Sequence, residues 1–122
     1  MKDGMRRHVL IVDDQVGIRL LLKEVFVTEG FAVSEASNGQ QAVAVLRDAQ
    51  PDFVLLDMKM PGMNGLEFLR IIHNEGFGTK VLMMTAYAEL EMLKEAKQLG
   101  ALAFFSKPFD ITELVQEVKQ LI

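Results

Sequence analysis

Strand-like and helix-like patterns alternate along the whole chain, which predicts an α/β fold: a doubly wound parallel sheet of five strands with helices on both faces, (βα)5. Two observations support the parallel arrangement. The strand-like runs are almost continuously apolar, as strands covered on both sides are. Four of them also end on a charged or hydroxyl residue, which makes sense only if their tips converge on one site. At 122 residues there is room for one domain and one core.

The first strand is 8–12, running into Asp13-Asp14. A helix over 15–29 carries Ile18, Leu21, Leu22, Val25 and Phe26 at helical spacing, and Gly30 ends it. Residues 31–36 alternate like a less deeply buried strand ending on no polar group comparable to the others, which suits a flanking position. Asn38-Gly39 turns into a helix over 40–48 with Ala42, Val45 and Leu46 inward, and Pro51 breaks it. The third strand, 53–56, delivers Asp57. A loop at 61–65 leads into a helix over 66–74, and Gly76 and Gly78 precede a strand at 81–84 that delivers Thr85. A helix over 88–99 is closed by Gly100. The last strand, 102–106, delivers Lys107-Pro108, and Asp110 caps a final helix over 111–121. In open sheets of this kind ligands sit at the carboxyl ends of the strands, where the strand order reverses.

The bulk composition excludes several functions. A net charge of −4 leaves no basic stripe for nucleic acid. There is no cysteine, so thiolate chemistry and disulfides are out. No apolar run approaches the ~20 residues that span a bilayer, and the first residues are too short and polar for a secretory signal. The expectation is a soluble, cytoplasmic, monomeric protein with no membrane or nucleic-acid partner.

Asp13, Asp14 and Asp57 would gather three negative charges, each pair repelling by about 4 kcal/mol at 4 Å and an effective dielectric near 20. Protonation or capture of a hard cation relieves this, and all-oxygen donors favour Mg²⁺, with Mn²⁺ as a substitute. A lone Asp-Asp pair is more often a helix cap; Asp57 and Lys107 at equivalent strand ends argue against that here. Asp57 stands alone at the floor of the pocket and is the candidate nucleophile, since carboxylates can carry a phosphoryl group. Lys107 and Thr85 supply positive charge and a hydroxyl for the remaining phosphoryl oxygens. The X-Pro bond after Lys107 is one where a cis form is accessible and would fix the direction of the lysine.

Asp13-Asp14, Asp57, Thr85 and Lys107-Pro108, with Pro61-Gly62 after the acceptor, resemble the receiver domain of bacterial two-component response regulators over almost the whole chain. The resemblance implies a flavodoxin-like fold of strand order 2-1-3-4-5, and phosphorylation of Asp57 by the phosphohistidine of a sensor histidine kinase. It also implies Mg²⁺ held by Asp14, Asp57 and the backbone carbonyl of Lys59, with Asp13 acting through water, and it makes Thr85 the switch hydroxyl and Lys107 the phosphate-binding lysine. Such a protein is a phosphoacceptor that assists its own Mg²⁺-dependent transfer, rather than an enzyme. The strings 13–19, 84–87, 99–102 and 107–111 are similar to stand-alone receivers of sporulation-type phosphorelays, which pass the group to a histidine phosphotransferase. That likeness puts Gln15, Gly17, Ile18, Leu21, Pro108 and Phe109 on the partner-facing surface. Phe104 departs from the pattern: it occupies an aromatic switch position where the relay receivers are expected to carry histidine.

The chain stops at Ile122, after the fifth helix, so the expectation is a single receiver domain over 1–122 with no output domain. Leu20 projects roughly opposite Ile18, Leu21 and Leu22, so one sheet face cannot bury all four equally. Met58, Met60 and Met63 flank the acceptor loop and suit an adaptable contact surface. Lys59 and Tyr87 are expected to shield the acyl phosphate from water and slow its loss. Neither His8 nor His73 is a candidate phosphohistidine. Two alternatives share much of this chemistry. A chemotaxis-type receiver signals by phosphorylation-dependent protein binding without onward transfer. An aspartyl-phosphate phosphohydrolase needs an acid/base two residues after the nucleophile, where this chain has Lys59, and usually a cap that it lacks.

Overall fold

In the computed structural model residues 7–58, 62–85 and 90–121 are described, 90 and 91 through their backbone alone. The elements are β1 (His8–Val12), α1 (Val16–Thr28), β2 (Ala32–Ala36), α2 (Gly39–Ala49), β3 (Phe53–Asp57), α3 (Gly65–Glu75), β4 (Lys80–Thr85), α4 (Leu90–Gln98), β5 (Ala101–Ser106) and α5 (Ile111–Leu121). All neighbouring strands are parallel, in the order β2-β1-β3-β4-β5. The α/β expectation and the strand order both hold.

Alternation along the strands builds two separate cores, because successive side chains leave opposite faces of a sheet. Leu10, Val12, Val54, Leu56, Val81 and Met83 join residues of α2, α3 and α4 on one face. Val9, Ile11, Phe53, Leu55, Leu82 and Met84 join Leu22 and Phe26 of α1 and Leu114, Val115 and Val118 of α5 on the other. Phe26, Phe31 and Phe53 pack edge to face, with centroids 5.3–6.1 Å apart, where β3 begins. This trio anchors the end of the sheet opposite the polar strand tips. The edge strand β2 is mostly half-buried, as its alternation suggests.

Local signals set the helix limits. The Asn38 side chain accepts a hydrogen bond from the Gln41 N–H, and Asn64 and Glu67 form a capping box. Gly76, at φ 73°, closes α3 in the left-handed conformation that glycine adopts without strain. Gln50 closes α2 at φ 48°, a left-handed residue that its side chain does not announce, immediately before Pro51.

Helix α1 differs from the arc its spacing suggests. Leu22 and Phe26 form the buried ridge with Ile18 at its margin, while Leu20 and Leu21 are 56% and 48% exposed. Leu21 is one residue, or about 100°, around the helix from Leu22 and so looks along the sheet toward α5. On α2, Val43 is buried alongside Ala42 and Leu46, whereas Val45 is only partly so.

Candidate functional site

The chain leaves β1 outward to β2 and returns on the other side as β3, so the carboxyl ends of β1 and β3 flank the point where the winding reverses. Asp13 and Asp14 follow β1, and Asp57 is the last residue of β3. One carboxylate oxygen from each lies within 4.8 Å of the others. On β4, Met84 pairs with Asp57, which brings Thr85 to the same edge. Lys107 follows β5, and its N–H donates to the Thr85 carbonyl at 2.8 Å, binding the two strand ends together. The Lys107–Pro108 peptide is cis.

The Lys107 ammonium enters the cluster from the β5 side, 2.8 Å from Asp13 Oδ2 and 3.5 Å from Asp57 Oδ2. Its side chain is 14% exposed, so it is no solvated surface lysine. Asp13 is fully buried, and Asp57 and Thr85 are 5% and 4% exposed. Asp14 faces solvent. The five side chains singled out in the sequence are therefore brought to one place, with a buried floor and an open side at Asp14.

Every polar group of Asp13 is engaged. Its N–H donates to the Ala36 carbonyl at 3.1 Å, and its carbonyl accepts from Arg19 Nη1 at 2.7 Å. Its Oδ1 accepts from the Gln15 N–H at 2.9 Å, and its Oδ2 receives Lys107. A buried carboxylate without such partners costs several kcal/mol. Arg19 is the residue missed in the sequence; the signal was its place one helical turn after Gln15, facing back toward the Asp13-Asp14 corner.

The donor set suits a hard divalent cation: three carboxylates converge, two of them on a buried floor, with no nitrogen or sulfur ligand among the described residues. One ammonium does not balance three carboxylates, so an added dication would complete the local charge.

Of the expected partner surface, Gln15, Ile18, Leu21, Pro108 and Phe109 line one groove of about 440 Å³ with Lys107 and Ile111. Gly17 is exposed on the same end of α1. Phe104 packs against the core on the α4 side, while its neighbour Phe105 is buried on the α1 and α5 side. Lys59, Tyr87 and Met60 lie outside the described residues. Met58 corrects the expectation of an adaptable contact surface: it is 1% exposed and belongs to the core. Met63 is half-buried, in space that the bare Gly39 leaves at the start of α2. His8 Nε2 meets Ser34 Oγ at 2.7 Å and His73 is exposed; both stand away from the strand tips.

Residues 9–119 match the response regulator receiver domain. The chain is 50% identical over 118 residues to sporulation initiation phosphotransferase F of Bacillus subtilis, covering 97% of this chain and 95% of that protein. It is 34% identical over 119 residues to the chemotaxis protein CheY of the same organism, covering 97% and 99%. Among solved structures, a CheY-like response regulator receiver domain protein from Methanospirillum hungatei superposes with a TM-score of 0.91 at 31% identity, covering 95% of this chain and 93% of that one. No described helix is long and apolar enough to cross a membrane.

Proposed function

This chain belongs to the response regulator receiver domain family, and from that premise we propose that Asp57 accepts a phosphoryl group from the phosphohistidine of a sensor histidine kinase and passes it to a histidine phosphotransferase. The observation that carries this is the position of the Lys107 ammonium, bonded to Asp13 and 3.5 Å from Asp57 within a three-carboxylate cluster.

In the first transfer an Asp57 carboxylate oxygen attacks phosphorus. The phosphorus–nitrogen bond breaks, its electron pair stays on the imidazole, and an aspartyl phosphate forms. Lys107 neutralises charge on one equatorial oxygen, and the Thr85 hydroxyl donates to another. Asp14, Asp57 and the backbone carbonyl of Lys59 would hold Mg²⁺, or Mn²⁺ in its place, with Asp13 acting through water; the ion would add the positive charge that the phosphoryl oxygens still need. Onward transfer is the reverse exchange, from the acyl phosphate to an imidazole nitrogen of the phosphotransferase. Lys59 and Tyr87 act as shields of the acyl phosphate, and Phe104 takes the aromatic switch position.

The groove of Gln15, Ile18, Leu21, Pro108 and Phe109 supports a relay partner. It is largely apolar, begins at Lys107, and would seat a helix carrying the reacting histidine next to Asp57. The relative at 50% identity, itself named a phosphotransferase and similar in length, points the same way. On this reading the protein works as a monomeric receiver in the cytoplasm, in a relay of the sporulation type.

Incubation with acetyl phosphate and Mg²⁺, followed by intact mass, tests the acceptor. The expected result is a persistent gain of one phosphoryl group, absent in Asp57→Asn. Continuous release of inorganic phosphate from varied monoesters would instead indicate a hydrolase. Mixing the phosphorylated protein with a histidine phosphotransferase then separates relay from chemotaxis-type signalling, in which no label moves onward.

A further inference from the structure

The Asp13-Asp14 corner has a support that its carboxylates do not reveal. Arg19, in the first turns of α1, sends Nη1 back to the Asp13 carbonyl at 2.7 Å. Its Nε faces Glu35 Oε1 at 3.5 Å, and the other oxygen of Glu35 is 3.2 Å from Lys23 Nζ. Glu35 is on β2, paired in register with Ile11, two residues before Asp13. The Arg19 side chain is 16% exposed, so this contact is set largely within the fold.

We propose that Arg19 is a positioning residue for the cation site, holding the peptide between Asp13 and Asp14, while Glu35 keeps its guanidinium off the carboxylates. The inference rests on the reading that those carboxylates bind a divalent cation. The bonded carbonyl belongs to the peptide plane that joins the two aspartates. Fixing that plane fixes the direction in which the Asp14 side chain leaves the backbone. Asp13 needs no such help at its side chain, where Gln15 and Lys107 already hold it. Asp14 faces solvent, so its aim comes from the backbone. A guanidinium bonded to the Asp13 backbone carbonyl is also a rival for the cation's place. The Glu35 carboxylate occupies it, and Lys23 in turn balances Glu35. Partners behind the direct donors tune metal affinity in this way in other sites.

The test is a Mg²⁺ titration of the full chain followed by backbone amide shifts, with no phosphoryl donor present. Arg19→Gln is expected to raise the Mg²⁺ dissociation constant about tenfold. Arg19→Lys, which reaches one partner but not both, falls between it and the parent. Glu35→Gln shifts the constant in the same direction, and adding it to Arg19→Gln has no further effect, since the two act through one contact. Should Arg19→Gln fail to fold, Arg19→Lys and Glu35→Gln make the same comparison. An Arg19 variant that melts lower in EDTA yet binds Mg²⁺ as the parent does overturns the proposal, because the residue is then only structural. The control separates the two levels of failure. A parent that binds no Mg²⁺, or Asp14→Asn binding as well as the parent, overturns the cation site itself and this proposal with it.

Discussion

Replacing Asp14 by asparagine should make the metal-free protein more stable. Two carboxylates at the 4.8 Å limit of this cluster repel by about 3.5 kcal/mol at an effective dielectric of 20, and by about 0.9 kcal/mol in bulk water. Asp14 faces solvent while its two neighbours are buried, so each of its pairs falls between these limits, at about 1–2 kcal/mol. Lys107, already bonded to Asp13 and near Asp57, returns part of this sum by attracting Asp14. The net gain for Asp14→Asn is about 1–2 kcal/mol, a rise in Tm of about 5 °C for a domain of this size. Urea denaturation in EDTA at low ionic strength measures it directly, and high salt should shrink it. Saturating Mg²⁺ should close or reverse the order, because the cation stabilises the parent by mass action and the variant far less. An Asp14→Asn protein less stable than the parent in EDTA would refute the charge argument. So would Mg²⁺ stabilising both proteins alike.

Lys107→Met should have the opposite sign. It leaves the fully buried Asp13 charge without its cation, costing about 3 kcal/mol in the same denaturation experiment. Phosphorylation by acetyl phosphate, followed by intact mass, should also slow about 100-fold. Gly65→Ala tests how closely α3 approaches the acceptor strand. A Cβ there would lie 2.9 Å from Met58 Cα and 3.2 Å from the Asp57 carbonyl oxygen, backbone atoms that cannot rotate away. A loss of about 1–3 kcal/mol is expected despite alanine's better helix propensity, and an unchanged urea midpoint would show that the approach is not tight.

The fold was legible because its signals are local and repeated. Apolar runs of strand length, glycine or proline breaks and Asn38 and Asp110 at helix starts appear where the structure has elements. The site was legible because a parallel sheet turns residues distant in sequence, such as Asp57 and Lys107, into neighbours through strand ends alone. What stayed hidden depends on angles and reach rather than periodicity. The helical spacing of 18, 21 and 22 does not say which ridge meets the sheet, and the structure chose Leu22 and Phe26. Met58 follows the acceptor like a loop residue, yet its N–H donates to the Met84 carbonyl at 2.9 Å, and it enters the core as an extension of the strand. Arg19 looks like one more exposed cation on an amphipathic helix until its carbonyl partner is seen.

The two separate cores have a consequence for how a local event can be felt elsewhere. On β4, Met83 touches the α2–α4 layer and Met84 the α1 and α5 layer, and the two immediately precede Thr85 along the strand. A small displacement of that strand end therefore reaches both layers, one on each side of a partition a single residue thick. Proteins approaching from opposite directions could sense the same chemical change without competing for the same ground.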